Sequence, residues 1–494
     1  MLCLFGSLLF SESATFEHTK ETITENQSLR TENGDLTYEV HTGTVSVPGH
    51  TSTETAKINY FAYFAKGPNR PIAFCFNGGP GSSSIWLHMG FLGPKIIDIQ
   101  DLSFDNSKPK AVDNPFSLLS ETDLVFIDPV STGFSTSDKK ESAHKFHNVE
   151  DDIYSIANFI RLFISEYSRW QSPKLLIGES YGTLRAVGVA RVLQDSYFIN
   201  IDGLGLISLV IDLETLSLSD SSPLSLALAL PTLSSIAHYH QLLPKQYNEK
   251  SPEEIADITA SFAIEKYAPA LLLGSQLPPN REKKILQELS DLTSLPKDTL
   301  KKLHLQLSPG HFLNYFLRPQ NQFAGTFDGR LTSARLPSQS APLFTSLLSQ
   351  PDPSFYAIAS TFSAAFHEYL HSTLHLNTTE PYIVLSKEIN PTWDWRVERA
   401  PAAGLGHLSL VQDLRIASLQ NPHMKIFVAS GLYDIATPFF AQKYTLSHLF
   451  LPEQQMNNIF QKNYPAGHMM YLHKPSRKDL FNDMRTFIRS ACPR

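Results

Sequence analysis

Residues 175–193 read LLIGESYGTLRAVGVARVL and join a predicted strand to a predicted helix. Its first three residues are apolar and predict a buried strand, while small and apolar side chains from Tyr181 onward share one face, as in a helix. The turn between these two elements holds Gly178, Glu179, Ser180, Tyr181 and Gly182. A strand-to-helix turn this sharp, with Glu and Ser side by side between glycines, needs a physical reason.

The composition narrows the class of protein. Of the 494 residues, 42% are hydrophobic and 11% aromatic, which is enough for a large core and excludes disordered, collagen-like and coiled-coil chains. The net charge of -7 offers no basic surface, so nucleic-acid binding is not expected. No apolar run approaches the length of a membrane span, and we expect no stable membrane insertion.

The cysteines and histidines give no sign of a disulfide framework or a metal. Cys3, Cys75 and Cys492 are too few for such a framework, and Cys75 lies in an apolar run, where a small buried hydrophobe is expected. No Cys/His cluster has zinc-ligand spacing. The sequence therefore predicts no metal and no other cofactor, and it carries no signal for an oligomeric state.

The N-terminus resembles an export signal. MLCLFGSLLFSESA, residues 1–14, has an apolar run followed by small residues but lacks the basic residues that usually precede them. The pattern favours a periplasmic or secreted protein, with a cytoplasmic protein as the alternative. Residues 12–34 are polar and charged, and residues 1–35 are expected to form a mobile lead-in.

Strand and helix patterns alternate over residues 36–212. LTYEVHTGTVSV and TAKINYFAYFA predict antiparallel strands, and PIAFCF and LVFID predict buried strands that run into loops rich in Gly, Pro or Ser. A helical period follows in NVEDDIYSIANFIRLFISEY. This succession predicts an α/β fold with a mostly parallel sheet covered on both faces.

The pattern changes after residue 212. Residues 213–380 show short helical patterns with few strand signals, which suits either a separate helical domain or a helical lid inserted into the sheet domain. Strand signals resume with PYIVLS (381–386) and KIFVAS (425–430). Because the first fold continues in residues 381–494, the insertion is favoured.

The turn at residues 178–182 fits G-x-S-x-G between a strand and a helix, the context of a nucleophile elbow. A serine hydroxyl becomes a good nucleophile only when a neighbouring base takes its proton. In α/β-hydrolases an acid and then a His follow the Ser along the chain. Asp434 and His468 follow in that order beyond strand-like segments, although each alone would be an ordinary turn or surface residue. Asp212 and Asp128 are the next candidates for the acid.

A second loop belongs to the same chemistry. NGGPGSSS, residues 77–84, follows the predicted strand IAFCF. Successive glycines let backbone N–H groups approach a bound oxygen closely, as an oxyanion hole requires, whereas alone the motif would be an ordinary Gly/Pro turn. Its position upstream of the elbow is where the second oxyanion donor is expected.

These motifs together resemble the serine carboxypeptidase family, especially its bacterial branch. The matching segments are FNGGPGSSSIWLHMGFLGP, LVFIDPVSTGFS, LLIGESYG, DGRLT, INPTWDW, SGLYDIATP and YPAGHMMYL. The resemblance implies an α/β-hydrolase core with an inserted helical domain. It also implies hydrolysis of C-terminal residues from peptides with a free C-terminus, through an acyl-enzyme on Ser180.

The resemblance assigns roles to eight residues. The implied nucleophile, base and orienting acid are Ser180, His468 and Asp434. The implied oxyanion donors are the N–H groups of Gly79 and Tyr181. The implied binding site for the substrate carboxylate consists of Asn77, Gly78 and Glu179, where a protonated Glu179 would donate a hydrogen bond.

Two positions depart from the better-known eukaryotic members of that family. Ser82 stands where they carry a cysteine, and Phe91 stands where they carry a glutamate that pairs with the elbow glutamate. The serine chemistry is unaffected, but the carboxylate recognition and the exopeptidase specificity that the resemblance implies have less support. Two alternatives stay open. The protein could be an esterase or acyltransferase with the same triad, or a catalytically silent binding protein.

Overall fold

The computed structural model describes residues 22–32, 34–50, 54–97, 99, 110–216, 222–335, 352–397 and 408–493. The predicted export signal in residues 1–14 lies outside these ranges and stays a prediction. Within them, no helix is both long and apolar enough to cross a membrane.

The strands of the described residues form one large sheet and two small hairpins. In chain order they are Thr22–Thr31 (β1), Gly34–Pro48 (β2), Thr55–Ala65 (β3), Ile72–Phe76 (β4), Lys95–Ile97 (β5), Ala111–Asp113 (β6), Asp123–Ile127 (β7), Thr136–Ser137 (β8), Lys174–Glu179 (β9), Gly203–Ile207 (β10), Gln322–Ala324 (β11), Thr332–Ala334 (β12), Lys425–Gly431 (β13) and Ile459–Tyr464 (β14).

The α-helices of the same residues range from one turn to five. They are Ile85–Leu87 (α1), Val149–Glu166 (α2), Tyr181–Tyr197 (α3), Pro223–Tyr239 (α4), Lys245–Asn248 (α5), Pro252–Phe262 (α6), Ala268–Leu273 (α7), Pro279–Thr293 (α8), Lys297–Lys302 (α9), Pro309–Tyr315 (α10), Pro353–Ser372 (α11), Ile389–Thr392 (α12), Val411–Gln420 (α13), Phe439–Ser447 (α14), Glu453–Met456 (α15) and Lys474–Ala491 (α16).

The large sheet has the order β1-β2-β3-β7-β4-β9-β10-β13-β14, with β8 paired to β3. Strands β7, β4, β9, β10, β13 and β14 are parallel to their neighbours in this series. Strands β1, β2 and β3 are antiparallel, and β3 meets β7 in antiparallel register. The predicted mostly parallel sheet of an α/β-hydrolase fold is therefore confirmed, as are the antiparallel strands before it.

The prediction of a mobile lead-in was wrong for residues 22–31. This segment forms β1 and pairs with β2 from Thr22 opposite Thr42 to Thr31 opposite Gly34, with an irregularity between Thr24 and Gln27. Leu29 of β1 is buried. Polar side chains do not prevent a strand at the edge of a sheet, because the backbone of β2 supplies the hydrogen-bond partners.

The parallel strands β7, β4, β9, β10 and β13 are buried because helices cover both faces of the sheet. In β4, Ile72 and Phe74 belong to one core, while Ala73 and Cys75 belong to the other. The first core also contains buried residues of α2, α3 and α13, and the second contains those of α11 and α16. Cys75 is fully buried, as its apolar surroundings predicted.

Helices α4 to α10 build a third core within the predicted insertion. This core also includes Leu432, Tyr433 and Phe439, which follow β13 in the sheet domain. Helix α11 lies in the predicted insertion as well, but its buried side chains join the second core of the sheet. The role of residues 213–380 as a lid stays a prediction.

The prediction of a strand at PYIVLS was wrong. In this segment Ile383 pairs with Gly133 and Leu385 with Ser82 as isolated bridges. The large sheet resumes only at β13. Tyr382 of this segment is buried, whereas Ile383 is exposed, so the apolar run did not mark a buried strand.

Glycine at position 178 is required by the packing of the turn against its own helix. A Cβ on Gly178 would overlap the carbonyl group of Gly182, which is backbone and cannot rotate away. A Cβ on Gly205, in the neighbouring strand β10, would meet only side-chain atoms, the nearest being Met484 Cε at 3.2 Å. We expect Gly178→Ala to lower the free energy of unfolding by about 3 kcal/mol, and Gly205→Ala by less than about 1 kcal/mol. Urea unfolding of both variants tests this, and equal losses would contradict the packing argument.

Candidate active site

Ser180 occupies the turn between β9 and α3 in an unusual backbone conformation. Its φ and ψ are 59° and -131°, which side-chain-bearing residues seldom adopt. Such a conformation costs on the order of 1–3 kcal/mol. The Ser180 N–H donates to the Ile207 carbonyl oxygen at 2.9 Å, which ties the turn to the end of β10. The turn therefore holds the hydroxyl at the carboxyl end of the parallel strands.

The loop after β4 lies directly against this turn. A Cβ on Gly78 would lie 2.5 Å from the Tyr181 backbone nitrogen and 2.6 Å from that of Gly182. Gly79 has a φ of +106°, which favours glycine. Among the described residues, no acceptor is hydrogen bonded to the N–H of Gly79 or Tyr181. The role of these two N–H groups as oxyanion donors stays a prediction.

Asp434 and His468 come together as predicted from their order. The His468 Nδ1–H donates to Asp434 Oδ2 at 2.7 Å, and both side chains are buried. Thr437 fixes the carboxylate by donating its hydroxyl to Oδ2 at 2.6 Å and its N–H to Oδ1 at 3.1 Å. The His468 N–H donates to the Phe327 carbonyl oxygen at 2.6 Å. With Nδ1 held by Asp434, Nε2 is the ring nitrogen left for a substrate or nucleophile.

The charge of Asp434 makes His468 a stronger base. Burial alone would lower the pKa of His468, but the charge and hydrogen bond of Asp434, with the charge of Glu179, raise that pKa above its usual value. No hydrogen bond joins Ser180 to His468 among the described residues. Such contacts are often long in sites without a bound substrate and shorten when one binds.

Glu179, the residue before the nucleophile candidate, is a buried carboxyl group. Burial raises its pKa to about 7, and the charge of Asp434 acts in the same direction. The charge of His468 and hydrogen bonds from Tyr471 and Asn77 oppose this increase. Tyr471 donates its hydroxyl to Glu179 Oε2 at 2.7 Å. Glu179 can therefore change its protonation state near neutral pH.

One cavity unites the two halves of the site. Its polar lining includes six of the eight predicted residues, namely Asn77, Gly78, Gly79, Glu179, Ser180 and His468. Its apolar walls are Trp86, Phe327, Phe355, Leu385 and Met469. Asp434 lies behind His468, and Tyr181 is the first residue of α3. Within the described ranges, no three His, Cys, Asp or Glu side chains are grouped to hold a metal ion.

A buried ion pair fastens the loop after β4 to helix α3. Arg185 Nε donates to Asp152 Oδ2 at 2.8 Å, and the Arg185 side chain is fully buried. Arg185 also donates to the carbonyl oxygen of Asn77, and the Tyr181 hydroxyl donates to Asp152 Oδ2 at 3.1 Å. The guanidinium group thus connects α2, α3 and the loop that carries Gly78 and Gly79.

Asp128 and Asp212, the other candidates for the acid that orients His468, have different hydrogen-bond partners. Asp128 Oδ1 accepts hydrogen bonds from the Ser84 N–H at 2.9 Å and the Tyr382 hydroxyl at 3.0 Å. Asp212 accepts from the Glu214 N–H at 3.2 Å, where a short helical turn begins. The carboxylate that accepts the hydrogen bond of the His468 ring is instead that of Asp434.

Sequence reasoning missed several residues that shape the site. Thr437 had a local signal, because it follows Asp434 by three residues, a spacing that suits a hydroxyl folding back onto a carboxylate. Phe327 and Arg185 had none, because their contacts join segments that are distant in the chain. Tyr471 lies in a segment used for the family resemblance, but nothing in the sequence pairs it with Glu179.

The comparisons with known proteins agree with the fold and with these motifs. Residues 32–255 match the family described as serine carboxypeptidase. Carboxypeptidase Y of Schizosaccharomyces pombe is 32% identical over 138 residues, which cover 27% of this chain and 13% of that protein. A serine carboxypeptidase-like protein of Oryza sativa subsp. japonica is 30% identical over 148 residues, which cover 28% of this chain and 31% of that protein.

The fold and the sequence match define an α/β-hydrolase. Residues 32–255 thus match the serine carboxypeptidase family, and the chain spans less than a third of the length of each of these two relatives. These relatives come from a fungus and a plant, so the resemblance to the bacterial branch stays a prediction. A solved structure of a carboxyl esterase from Bacillus coagulans covers 91% of this chain and 98% of its own, with 10% identity and a TM-score of 0.37, values too low to support an argument.

We predict that Arg185→Met strongly destabilises the protein. Removing one partner of a buried ion pair costs about 3–5 kcal/mol, because the remaining charge is left buried without compensation. Burial raises the pKa of Asp152, and the charge of Arg185 opposes this increase. In the variant, which lacks that charge, the pKa of Asp152 should therefore rise further. The folded state then holds a proton that the unfolded state has released, and the stability loss should be larger at pH 8 than at pH 5.

Arg191→Met, in the same helix, is the matched control. Arg191 pairs with Asp195 four residues later, where the Asp195 side chain is 44% exposed. Exposed pairs of this kind contribute less than about 1 kcal/mol. Urea unfolding of both variants at the two pH values provides the measurement. A loss in Arg185→Met no larger than in the control would contradict a structural role for the buried pair.

Proposed function

We propose that the protein is a serine-type carboxypeptidase that removes C-terminal residues from peptides through an acyl-enzyme. The observation that supports this most is the single cavity lined by Ser180, His468 and the buried carboxyl group of Glu179. A nucleophile and a base next to a protonatable carboxyl group suit a substrate whose scissile bond lies beside a free carboxylate.

In the acylation step, Ser180 Oγ attacks the carbonyl carbon of the last peptide bond while His468 Nε2 takes the hydroxyl proton. The negative charge that forms on the carbonyl oxygen is stabilised by the N–H groups of Gly79 and Tyr181. The imidazolium, stabilised by Asp434, then gives its proton to the leaving nitrogen as the C–N bond breaks. The C-terminal amino acid leaves, and an ester on Ser180 remains.

The ester is hydrolysed by the same groups. A water molecule attacks the ester carbonyl carbon and gives a proton to His468, the oxyanion forms again, and the imidazolium returns the proton to Ser180 Oγ. The shortened peptide leaves with a new carboxylate. One water molecule is consumed, and all protein groups regain their starting protonation states.

Recognition of the free carboxylate depends on the protonation of Glu179. An ionised Glu179 would repel the substrate carboxylate, whereas the neutral acid can donate a hydrogen bond to it. Asn77 fits the same task, because its Oδ1 accepts from the Leu87 N–H at 2.9 Å, leaving the amide N–H groups as donors. Gly78 is the third residue of the proposed carboxylate site, and its backbone lies against the turn that carries Ser180.

An esterase or acyltransferase is the second candidate. The same triad suits it, and the apolar walls formed by Trp86, Phe327 and Phe355 suit an apolar acyl group. The polar group of Asn77 and Glu179 beside the nucleophile favours the carboxypeptidase. We also propose that residues 213–380 form a lid that determines substrate choice. The protein is further proposed to be exported.

We predict that Ser180→Ala abolishes both labelling by a fluorophosphonate and peptide hydrolysis. Asp434→Asn should lose most activity, because the amide can favour the wrong imidazole tautomer, and His468→Ala should be as damaging as Ser180→Ala. Each loss should be about 1,000-fold or more in kcat/KM. Ser234→Ala is the control, since its buried hydroxyl donates to the Leu292 carbonyl oxygen outside the cavity. Label on another serine, or near-normal turnover in the Ser180 variant, would refute the assignment.

We predict that free-acid and amidated forms of one N-blocked dipeptide respond differently to pH. Burial raises the pKa of Glu179 to about 7, so the KM of the free acid should worsen as pH rises through and above that value. The amide carries no negative charge, and its KM should vary less. For both substrates kcat/KM should fall at acidic pH, where His468 becomes protonated.

Glu179→Gln provides the direct test of this pH dependence. Glutamine keeps a donor and cannot ionise, so the KM of the free acid should become nearly independent of pH. If both forms of the dipeptide show the same KM profile in wild type and in the variant, Glu179 does not recognise the carboxylate. The esterase would then be the better proposal.

A further inference from the structure

We propose that Tyr471 is a positioning residue of the carboxylate site, and that Phe91 and Gly90 hold its ring so that the hydroxyl orients Glu179. This inference rests on the proposed carboxypeptidase function. It concerns a residue to which the family resemblance assigned no role.

The contact between Tyr471 and Glu179 is direct and buried. The Tyr471 hydroxyl donates to Glu179 Oε2 at 2.7 Å, and both side chains are at most 2% exposed. Tyr471 follows His468 by three residues and lies in the helical turn Met470–Leu472. The segment that carries the base therefore also carries the partner of Glu179.

Two neighbours fix the orientation of the tyrosine ring. The ring of Phe91 stacks on that of Tyr471, with centroids 5.7 Å apart and an interplanar angle of 4°. Gly90 lies beside the same ring, where a Cβ would be 2.7 Å from Tyr471 Cε2. The phenol can rotate little between these neighbours, so its hydroxyl stays directed at the carboxyl group.

Phe91 thereby acquires a role that its sequence position did not suggest. In the family members that the chain resembles, a glutamate at this position pairs with the elbow glutamate. Here the aromatic ring supports Tyr471, and the tyrosine hydroxyl takes the place of the second carboxyl group. A phenol is a donor that stays neutral where a second carboxyl group would share a proton with Glu179.

The hydrogen bond also selects which oxygen of Glu179 carries the proton. Because Tyr471 donates to Oε2, a neutral Glu179 holds its proton more favourably on Oε1. The titratable groups that act on Glu179 are His468, Asp434 and Tyr471. The first two belong to the proton-transfer machinery, so Tyr471 is the one that adjusts Glu179 without changing the base.

Tyr471→Phe tests the proposal because it removes only the hydroxyl. Loss of a donor to the ionised form should move the pH at which the free-acid KM worsens upward by roughly one unit. Below that pH, loss of orientation should raise the KM of the free acid about fivefold, with a smaller change in kcat. The KM profile of the amidated dipeptide should show no matching displacement.

Binding can be followed without turnover in the Ser180→Ala background. Titration calorimetry with the N-blocked dipeptide acid, across pH and with or without Tyr471→Phe, should show the same upward displacement. Tyr267→Phe is the matched control, because its buried hydroxyl donates to the Leu305 carbonyl oxygen at 2.6 Å within the helical region. This control should leave the profile in place.

Phe91→Leu provides a second test that keeps the Tyr471 hydroxyl and removes the stacked ring. It should displace the profile in the same direction by a smaller amount, and it decides the question if Tyr471→Phe does not fold. An unmoved profile, a downward displacement, or equal changes for acid and amide would overturn the role of Tyr471. A wild type whose acid and amide profiles coincide would instead overturn the proposed function.

Discussion

The candidate site depends on the close backbone contact between the loop after β4 and the turn after β9. Gly78 has no room for a Cβ because the backbone nitrogens of Tyr181 and Gly182 lie where it would be. The two segments can meet because β4 and β9 are adjacent and parallel, so both end at the same edge of the sheet. This contact brings the loop that carries Gly78 against the turn that carries Ser180.

Around this contact the protein buries charged groups of opposite sign, each with a specific partner. Arg185 holds Asp152 beneath the turn, and Asp434 holds His468 above it. Glu179 has no cation as a hydrogen-bond donor in the described residues, but the neutral side chains of Tyr471 and Asn77. A carboxyl group buried in this way is easier to protonate than an exposed one, which suits a site proposed to bind another carboxylate.

His468 and the segment of Asp434 are both held by backbone hydrogen bonds to residues 327–330. The His468 N–H donates to the Phe327 carbonyl oxygen, and the Gly329 N–H donates to that of Tyr433. Arg330 pairs with Asp328 at 2.7 Å and lies over the Tyr433 ring. Residues 327–330 thus connect the segments that carry Asp434 and His468. This connection is a structural role for the DGRLT motif, residues 328–332.

The mostly parallel sheet, the elbow, and the order of Ser180, Asp434 and His468 could all be predicted from the amino-acid sequence. These features depend on local patterns: apolar strands, helical periodicity, and glycines where the backbone must pass closely. Three features depend on contacts between distant segments and could not be predicted: residues 22–31 form a strand, PYIVLS forms isolated bridges, and Tyr471 binds Glu179. A polar edge strand, an apolar run and a buried tyrosine each have several possible partners, and the choice among them depends on which distant segments the fold brings together.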